Sequence, residues 1–428
     1  MANVSVTNGT PTSETASTHT GALAVVTSLF FMWGFVTVLN DILVPHLKAI
    51  FDLSYAKVML IQFAFFSAYF IFSLPSAKLI DWVGYKRTMV VGLMTMGVGA
   101  LLFLPAATAA SYVLFLCALM VLAAGITALQ VAANPYVAVL GPEKTGSSRL
   151  NLTQAFNSLG TTIGPYLGGL LILTANPKGL DELRQMAPAA LQAYRVQEAS
   201  SVKLPYLIIG LALILLGIVI SFIKLPSMPQ AERRGESGPK TSVWKYRHLV
   251  LGTVAIFVYV GGEVSIGSFL INYFTQKNIG NISEVTAAGF VAYYWGGAMV
   301  GRFIGSAILQ KIETRIVLGI AAAAACLLVC TSMLTTGHVA MWSIILVGFF
   351  NSVMFPSIFT LGISKLGPLT GDGSGLLVMA IVGGAIIPVM QGALADRIGI
   401  HHAFILPALC YVYIFYYALR GSRPVGVA

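Results

Sequence analysis

Two carboxylates lie inside apolar runs. Asp41 falls in "VTVLNDILV" (Val36 to Val44), with Asn40 beside it, and Glu263 in "YVGGEVSIGS" (Tyr259 to Ser268). A charge at the centre of a membrane helix costs roughly 2.5–3.5 kcal/mol on insertion scales, so such acids persist where they meet water, a ligand or a partner. Burial favours the neutral form of a carboxyl. An acid that alternates between wet and dry surroundings can therefore take up a cation in one state and release it in the other. The structural alternative is an acid hydrogen-bonded to neighbouring helices.

Neutral polar side chains surround these acids. Thr127, Gln130 and Asn134 share one helical face, as do Asn151, Gln154, Asn157 and Ser158. Gln62, Asn272 and Asn351 add amides in other runs. A single amide in such a run commonly serves as glue between helices. A convergent set suits a neutral, hydroxyl-rich ligand, because each amide both donates and accepts. Trp33, two turns before Asp41, and Trp295 offer flat apolar faces to a sugar ring. A dianionic ligand would need buried basic residues, and only Arg302 approaches an apolar run, near its inner end. The stretch "AKLIDWVGYKR" (Ala77 to Arg87) places Asp81, Gly84, Lys86 and Arg87 where an acid can pair with bases or helix N-termini. With Arg302, these residues are expected to form a cytoplasmic gate. No histidine falls mid-run and no metal-ligand spacing occurs, which argues against an enzyme and against a resident cofactor or metal.

The elements that hold these residues are membrane helices. The chain has 428 residues, 57% hydrophobic and only 9% charged, with mean hydropathy +0.85, against about 25% charged for soluble domains. Twelve apolar runs are long enough to cross a bilayer, and they are continuous rather than alternating, which favours helices over a barrel. The net charge of +10 comes from short clusters between runs, not from one patch, so nucleic acid is not an expected partner. The four cysteines, Cys117, Cys326, Cys330 and Cys410, lie inside apolar runs and read as small fillers.

The expected fold is all-α: twelve transmembrane helices in two pseudo-symmetric six-helix bundles. Residues 1–21 read as a disordered tail, 22–224 as the first bundle, 225–247 as a polar cytoplasmic linker, 248–420 as the second bundle and 421–428 as a C-terminal tail. Most of the 25 Lys and Arg fall on one side of these runs, which predicts both termini in the cytoplasm. The halves repeat. "NPYVAVLGP" aligns with "FPSIFTLGI", matching Pro135 to Pro356 and Gly141 to Gly362. "GTTIGPYLGG" aligns with "GGAIIPVMQG", matching Gly160, Pro165 and Gly169 to Gly383, Pro388 and Gly392. Such repeats place a site between the bundles near the midplane. One chain holds both halves, so a monomer is expected.

The loop around Gly84 resembles the segment two–three signature of the major facilitator superfamily, with Trp82 and Tyr85 in place of the usual basic residues. More narrowly, "FFMWGFVTVLNDIL", "ALQVAANPYVAVLGP" and "YVGGEVSIGSFLINYF" resemble the L-fucose:proton symporter and glucose/galactose transporter family over nearly the whole chain. The resemblance implies uptake of a neutral hexose through the bacterial inner membrane by cation-coupled alternating access. It also implies that Asp41 is the segment-one acid and that Gln154 and Asn157 are sugar-pocket amides. Gln130 stands where the fucose symporter has Glu, which favours glucose or galactose over fucose and opens sodium as a rival to the proton. The expected sugar site is Trp33, Asn40, Asp41, Gln130, Asn134, Gln154, Asn157, Glu263, Asn272, Trp295 and Asn351, with Asp41 and Glu263 coupling. A drug exporter, which would want a larger apolar cavity, and a sensor remain as rivals.

Overall fold

The computed structural model describes residues 19–51, 55–172, 185–227 and 242–424. The first eighteen residues of the expected tail, residues 228–241 of the linker, the last four residues and the side chains of Asn40 and Asp41 lie outside the described set.

The described regular structure is helical throughout. The first half holds α1 (Thr20–Phe51), α2 (Tyr55–Thr108), α3 (Tyr112–Val139), α4 (Gly146–Ile172), α5 (Pro188–Ser200) and α6 (Lys203–Phe222). The second holds α7 (Arg247–Phe274), α8 (Glu284–Ile308), α9 (Thr314–Leu334), α10 (Gly337–Asn351), α11 (Met354–Ile363), α12 (Thr370–Met379), α13 (Gly383–Ile398), α14 (Ile400–Ala403) and α15 (Ile405–Tyr416). Among the described residues nine helical stretches are long and apolar enough to cross a membrane, and one of them, Leu60–Thr108, has length for two passes. It reverses at Gly84, whose φ of 83° and ψ of 168° suit glycine alone. Helices α4 and α8 complete the twelve passes. Their polar faces, bearing Asn151, Gln154 and Arg302, dilute their hydropathy.

Two passes of the second half are broken at mid-depth. Helix α10 stops at Asn351 and α11 restarts at Met354. Pro356, in the first turn of α11, supplies no N–H to bond the backbone preceding it, which favours the interruption there. Helix α12 tightens into a 3-10 turn over Ala380–Val382 before α13. The first half keeps its counterparts continuous, α3 across Pro135 and α4 across Gly160.

Glycines set the packing distances. A Cβ on Gly160 would strike the Phe31 carbonyl of α1, and one on Gly383 would strike the Phe257 carbonyl of α7. The two pairings are repeat-related, so α1 meets α4 as α7 meets α13. The four cysteines are all free.

The halves are fastened together toward the end where the linker emerges, called here the linker face. The Ser148 hydroxyl donates to the Ser306 carbonyl at 2.7 Å, the Asn151 amide to the Arg302 carbonyl at 2.7 Å, and the Ser374 hydroxyl to the Val131 carbonyl at 2.7 Å. Ser364 reaches Glu143 at 3.3 Å. This conformation is shut at the linker face.

Candidate functional site

A cavity of about 150 Å³ lies between the halves, lined by Trp33, Tyr69, Gln130, Gln154, Tyr259, Val260, Glu263, Arg302, Phe355, Pro356 and Ile381. Phe355, Pro356 and Ile381 come from the two broken passes, so the interruptions border the cavity. Irregular backbone at membrane depth is tolerated where protein or a cavity surrounds it.

The first half supplies neutral groups. The Gln130 amide donates to the Tyr69 hydroxyl at 2.8 Å. This leaves the Gln130 oxygen and the Tyr69 proton for a ligand. Gln154 and Trp33 are buried beside them. The second half supplies charge. Arg302 Nη2 lies 4.0 Å from Glu263 Oε1, with the two side chains 15% and 12% exposed. At an effective dielectric constant near 20, opposite charges about 4 Å apart attract by about 4 kcal/mol. That offsets more than half of the roughly 5–7 kcal/mol insertion cost of two charges. Arg302 also hydrogen-bonds Ser158 of the first half through Nη1. Among the described residues the cavity wall is thus polar, with its two charges offsetting each other.

The repeat extends to side-chain contacts. The offset that carries Pro135 onto Pro356 carries Gln130 onto Asn351. The Asn351 amide donates to the Tyr294 hydroxyl at 2.9 Å, as Gln130 does to Tyr69. Here the pair is sealed. The Tyr259 hydroxyl donates to the Asn351 carbonyl at 3.1 Å, and the Tyr294 hydroxyl to the Glu263 carbonyl at 3.4 Å. These bonds knit α7, α8 and α10 into a platform beneath Glu263.

The structure brings Trp33, Gln130, Gln154 and Glu263 of the expected site together. Asn134 is buried one turn from Gln130, on the linker side of the cavity. Asn157 fastens α4 to α1 through the Phe30 carbonyl at 2.9 Å. Asn351 is sealed within the second half, Asn272 is exposed at the far end of α7, and Trp295 is 43% exposed and packs beside Gly267. None of these five lines the cavity. Asn40 and Asp41 lie on α1, their side chains outside the described residues.

Among the expected gate residues, the Asp81 carboxylate sits beside Gly371 in the first turn of α12, and Gly84 makes the reversal of α2. The Lys86 ammonium donates to the Ser221 carbonyl at 2.7 Å near the end of α6, and Arg87 is exposed. Arg302 departs from the expectation. It lies well inside α8, which ends at Ile308, and its approach to Glu263 sets it in the cavity wall rather than the gate. Sequence reasoning did not single out Tyr69 or Tyr259 as site residues. The repeat held the signal for Tyr69, since one amide–tyrosine pair predicts the other.

Two repeated bundles around a small polar cavity, shut at one end, have the build of a membrane transporter. Residues 22–387 match the model of the Major Facilitator Superfamily. The chain is 51% identical to the glucose/galactose transporter of Brucella abortus, covering 99% of this chain and all of that protein. A crystal structure of the Escherichia coli fucose:proton symporter superposes with a TM-score of 0.88 at 35% identity, covering 96% of this chain and all of that one. A structure of the same transporter in the outward conformation gives 0.87 at 36% identity, covering 94% and 99%. The chain belongs to the Major Facilitator Superfamily, a family of transporters.

Proposed function

We propose that this protein carries a neutral hexose, glucose or galactose ahead of L-fucose, across the bacterial inner membrane by cation-coupled alternating access. One observation carries the reading. The cavity offers amide, hydroxyl and aromatic groups, while Glu263 and Arg302, the two charged groups among its described lining residues, compensate each other, so the site suits a hydroxyl-rich solute. The similarity to a glucose/galactose transporter supports the choice of sugar.

In this reading Trp33, Gln130 and Gln154 hold the sugar, with Asn40 and Asp41 beyond them on α1. Asp41 and Glu263 carry the coupling. Cation binding to an acid removes its charge penalty, and the halves rock with sugar bound. Release of both resets the carrier. The linker face is the cytoplasmic side, where Asp81, Lys86 and Arg87 steady the closed gate, and the monomer is the working unit.

The coupling cation is the proton by similarity to the fucose:proton symporter. Sodium is a second reading, favoured by the neutral amide of Gln130 among the cavity's polar groups. Proteoliposomes decide both points. Labelled glucose and galactose uptake is competed with unlabelled sugars, under a pH gradient or a sodium gradient at fixed pH. Uptake of neither hexose under either gradient overturns the proposal.

A further inference from the structure

Two cavities lie along the seam between the halves. The central one holds the site above. The other, about 790 Å³, lies toward the linker face. Three helices border both. On α3, Gln130 lines the central cavity and Ala138 the other; on α4 they are Gln154 and Ser147; on α11, Pro356 and Thr360. At 1.5 Å per residue the septum between them is about 10–12 Å thick along α3 and α4.

A buried polar side chain sits within the septum on each of these helices. Asn134, Asn151 and Ser357 are each 0% exposed. Among the described residues neither amide atom of Asn134 has a hydrogen-bond partner, nor does Asn151 Oδ1 or Ser357 Oγ. An unpaired buried polar atom is costly, and apolar residues of similar size would fill these places without that cost. The fourth wall differs, since Ser306 of α8 is paired with Ser148. On α3, α4 and α11 the unpaired septum groups thus lie on faces that run from one cavity to the other; further unpaired buried groups, among them Gln391 and the Tyr411 hydroxyl, lie within the second half.

We infer that Asn134, Asn151 and Ser357 form a second, transient subsite for a neutral hydroxyl-rich solute, shut in this conformation and wetted when the halves part at the linker face. Each amide can donate to and accept from a sugar hydroxyl, and the serine can do either. The cost of leaving them unpaired falls on the shut state and is recovered as solute moves through. Raising the energy of the shut state and lowering that of the passage both speed the crossing. The inference rests on the transport reading above.

The test uses the full-length protein and labelled glucose. Asn134→Leu, alone and with Ser357→Ala, is expected to leave the thermal midpoint unchanged or raised. Equilibrium binding should stay within about twofold, while counterflow exchange in proteoliposomes slows about tenfold, as expected for losing one or two hydrogen bonds in the crossing state. Asn134→Ser is expected to recover part of the rate. Exchange within about twofold of the parent overturns the inference. So does binding that weakens in step with exchange, which would assign Asn134 to the central site, or a lowered midpoint that tracks the lost exchange, which would make these groups structural. A parent protein that exchanges no hexose is a separate result, which removes both the proposed function and the ligand named here.

Discussion

The two halves carry the same scaffold and use it differently. Each sets an amide on its fourth pass against a tyrosine on its second, Gln130 with Tyr69 and Asn351 with Tyr294. In the first half the pair lines the cavity and the helices around it are continuous. In the second half the pair is sealed, the helices beside the cavity are broken, and Glu263 and Arg302 face inward. Duplication therefore supplied two equivalent platforms. One presents its hydrogen bonds to a ligand, and the other turns them inward to hold a charge pair in place.

The largest effect is expected from the acid of the first half, which breaks the comparison if it fails. Asp41→Asn should abolish gradient-driven accumulation of hexose while sparing counterflow exchange, which needs no net cation movement. Accumulation and counterflow measured in the same proteoliposomes check this. Accumulation that survives would leave coupling to the second half, with Glu263 as the acid it brings to the cavity wall.

The charge pair comes next. Arg302→Leu leaves Glu263 without its compensating charge, and removing one partner of a buried pair costs about 3–5 kcal/mol. Adding Glu263→Gln should recover most of that stability, because the pair is then removed as a unit. Thermal midpoints of the two single variants and the double variant form the cycle. Recovery in stability without recovery of accumulation would assign Glu263 to coupling rather than to packing.

Swapping the amides sharpens the contrast directly. Gln130→Leu is expected to raise the transport KM about tenfold, equivalent to about 1.4 kcal/mol, with little change in thermal midpoint. Asn351→Leu should do the reverse. It removes the amide that donates to the Tyr294 hydroxyl, which keeps only its bond to the Glu263 carbonyl, and lowers stability by about 1 kcal/mol, with KM nearly unchanged. Equal KM effects from both would mean that the second pair also meets the sugar in another conformation.

These residues also mark what the sequence could disclose. The twelve passes, and Glu263 inside one of them, were legible because a lipid solvent makes apolar length and isolated charge conspicuous. The repeat was legible because its prolines and glycines answer to backbone geometry, as the matched contacts of Gly160 and Gly383 show. Which amide of an equivalent pair faces the cavity was not legible. Gln130 and Asn351 have the same chemistry and the same repeat position, and their environments differ only through the packing of neighbouring passes. Arg302 was assigned to the gate because a lone arginine within two turns of a helix end reads as interfacial, while the Glu263 that holds it in the cavity wall is distant in sequence. Asn272 and Trp295 were misplaced because an apolar run has similar hydrophobicity on its lipid face and its core face, so periodicity does not orient it.

The smallest effect tests the symmetric part of the comparison. Gly84 reverses α2 at the linker face with φ 83° and ψ 168°, and Gly399 links α13 to α14 at the opposite face with φ 82° and ψ 153°. A Cβ at either position would meet no atom within 4 Å, so the penalty of an alanine there is backbone strain alone, about 1 kcal/mol. Gly84→Ala and Gly399→Ala should therefore lower the thermal midpoint by nearly equal amounts, although they lie at opposite faces and in different halves. Unequal losses would mean that one turn also bears load from the gate, with Asp81 and Lys86 on either side of Gly84 as the first candidates. Equal losses would confine the asymmetry between the halves to the side chains that line the cavity and leave the backbone scaffold shared.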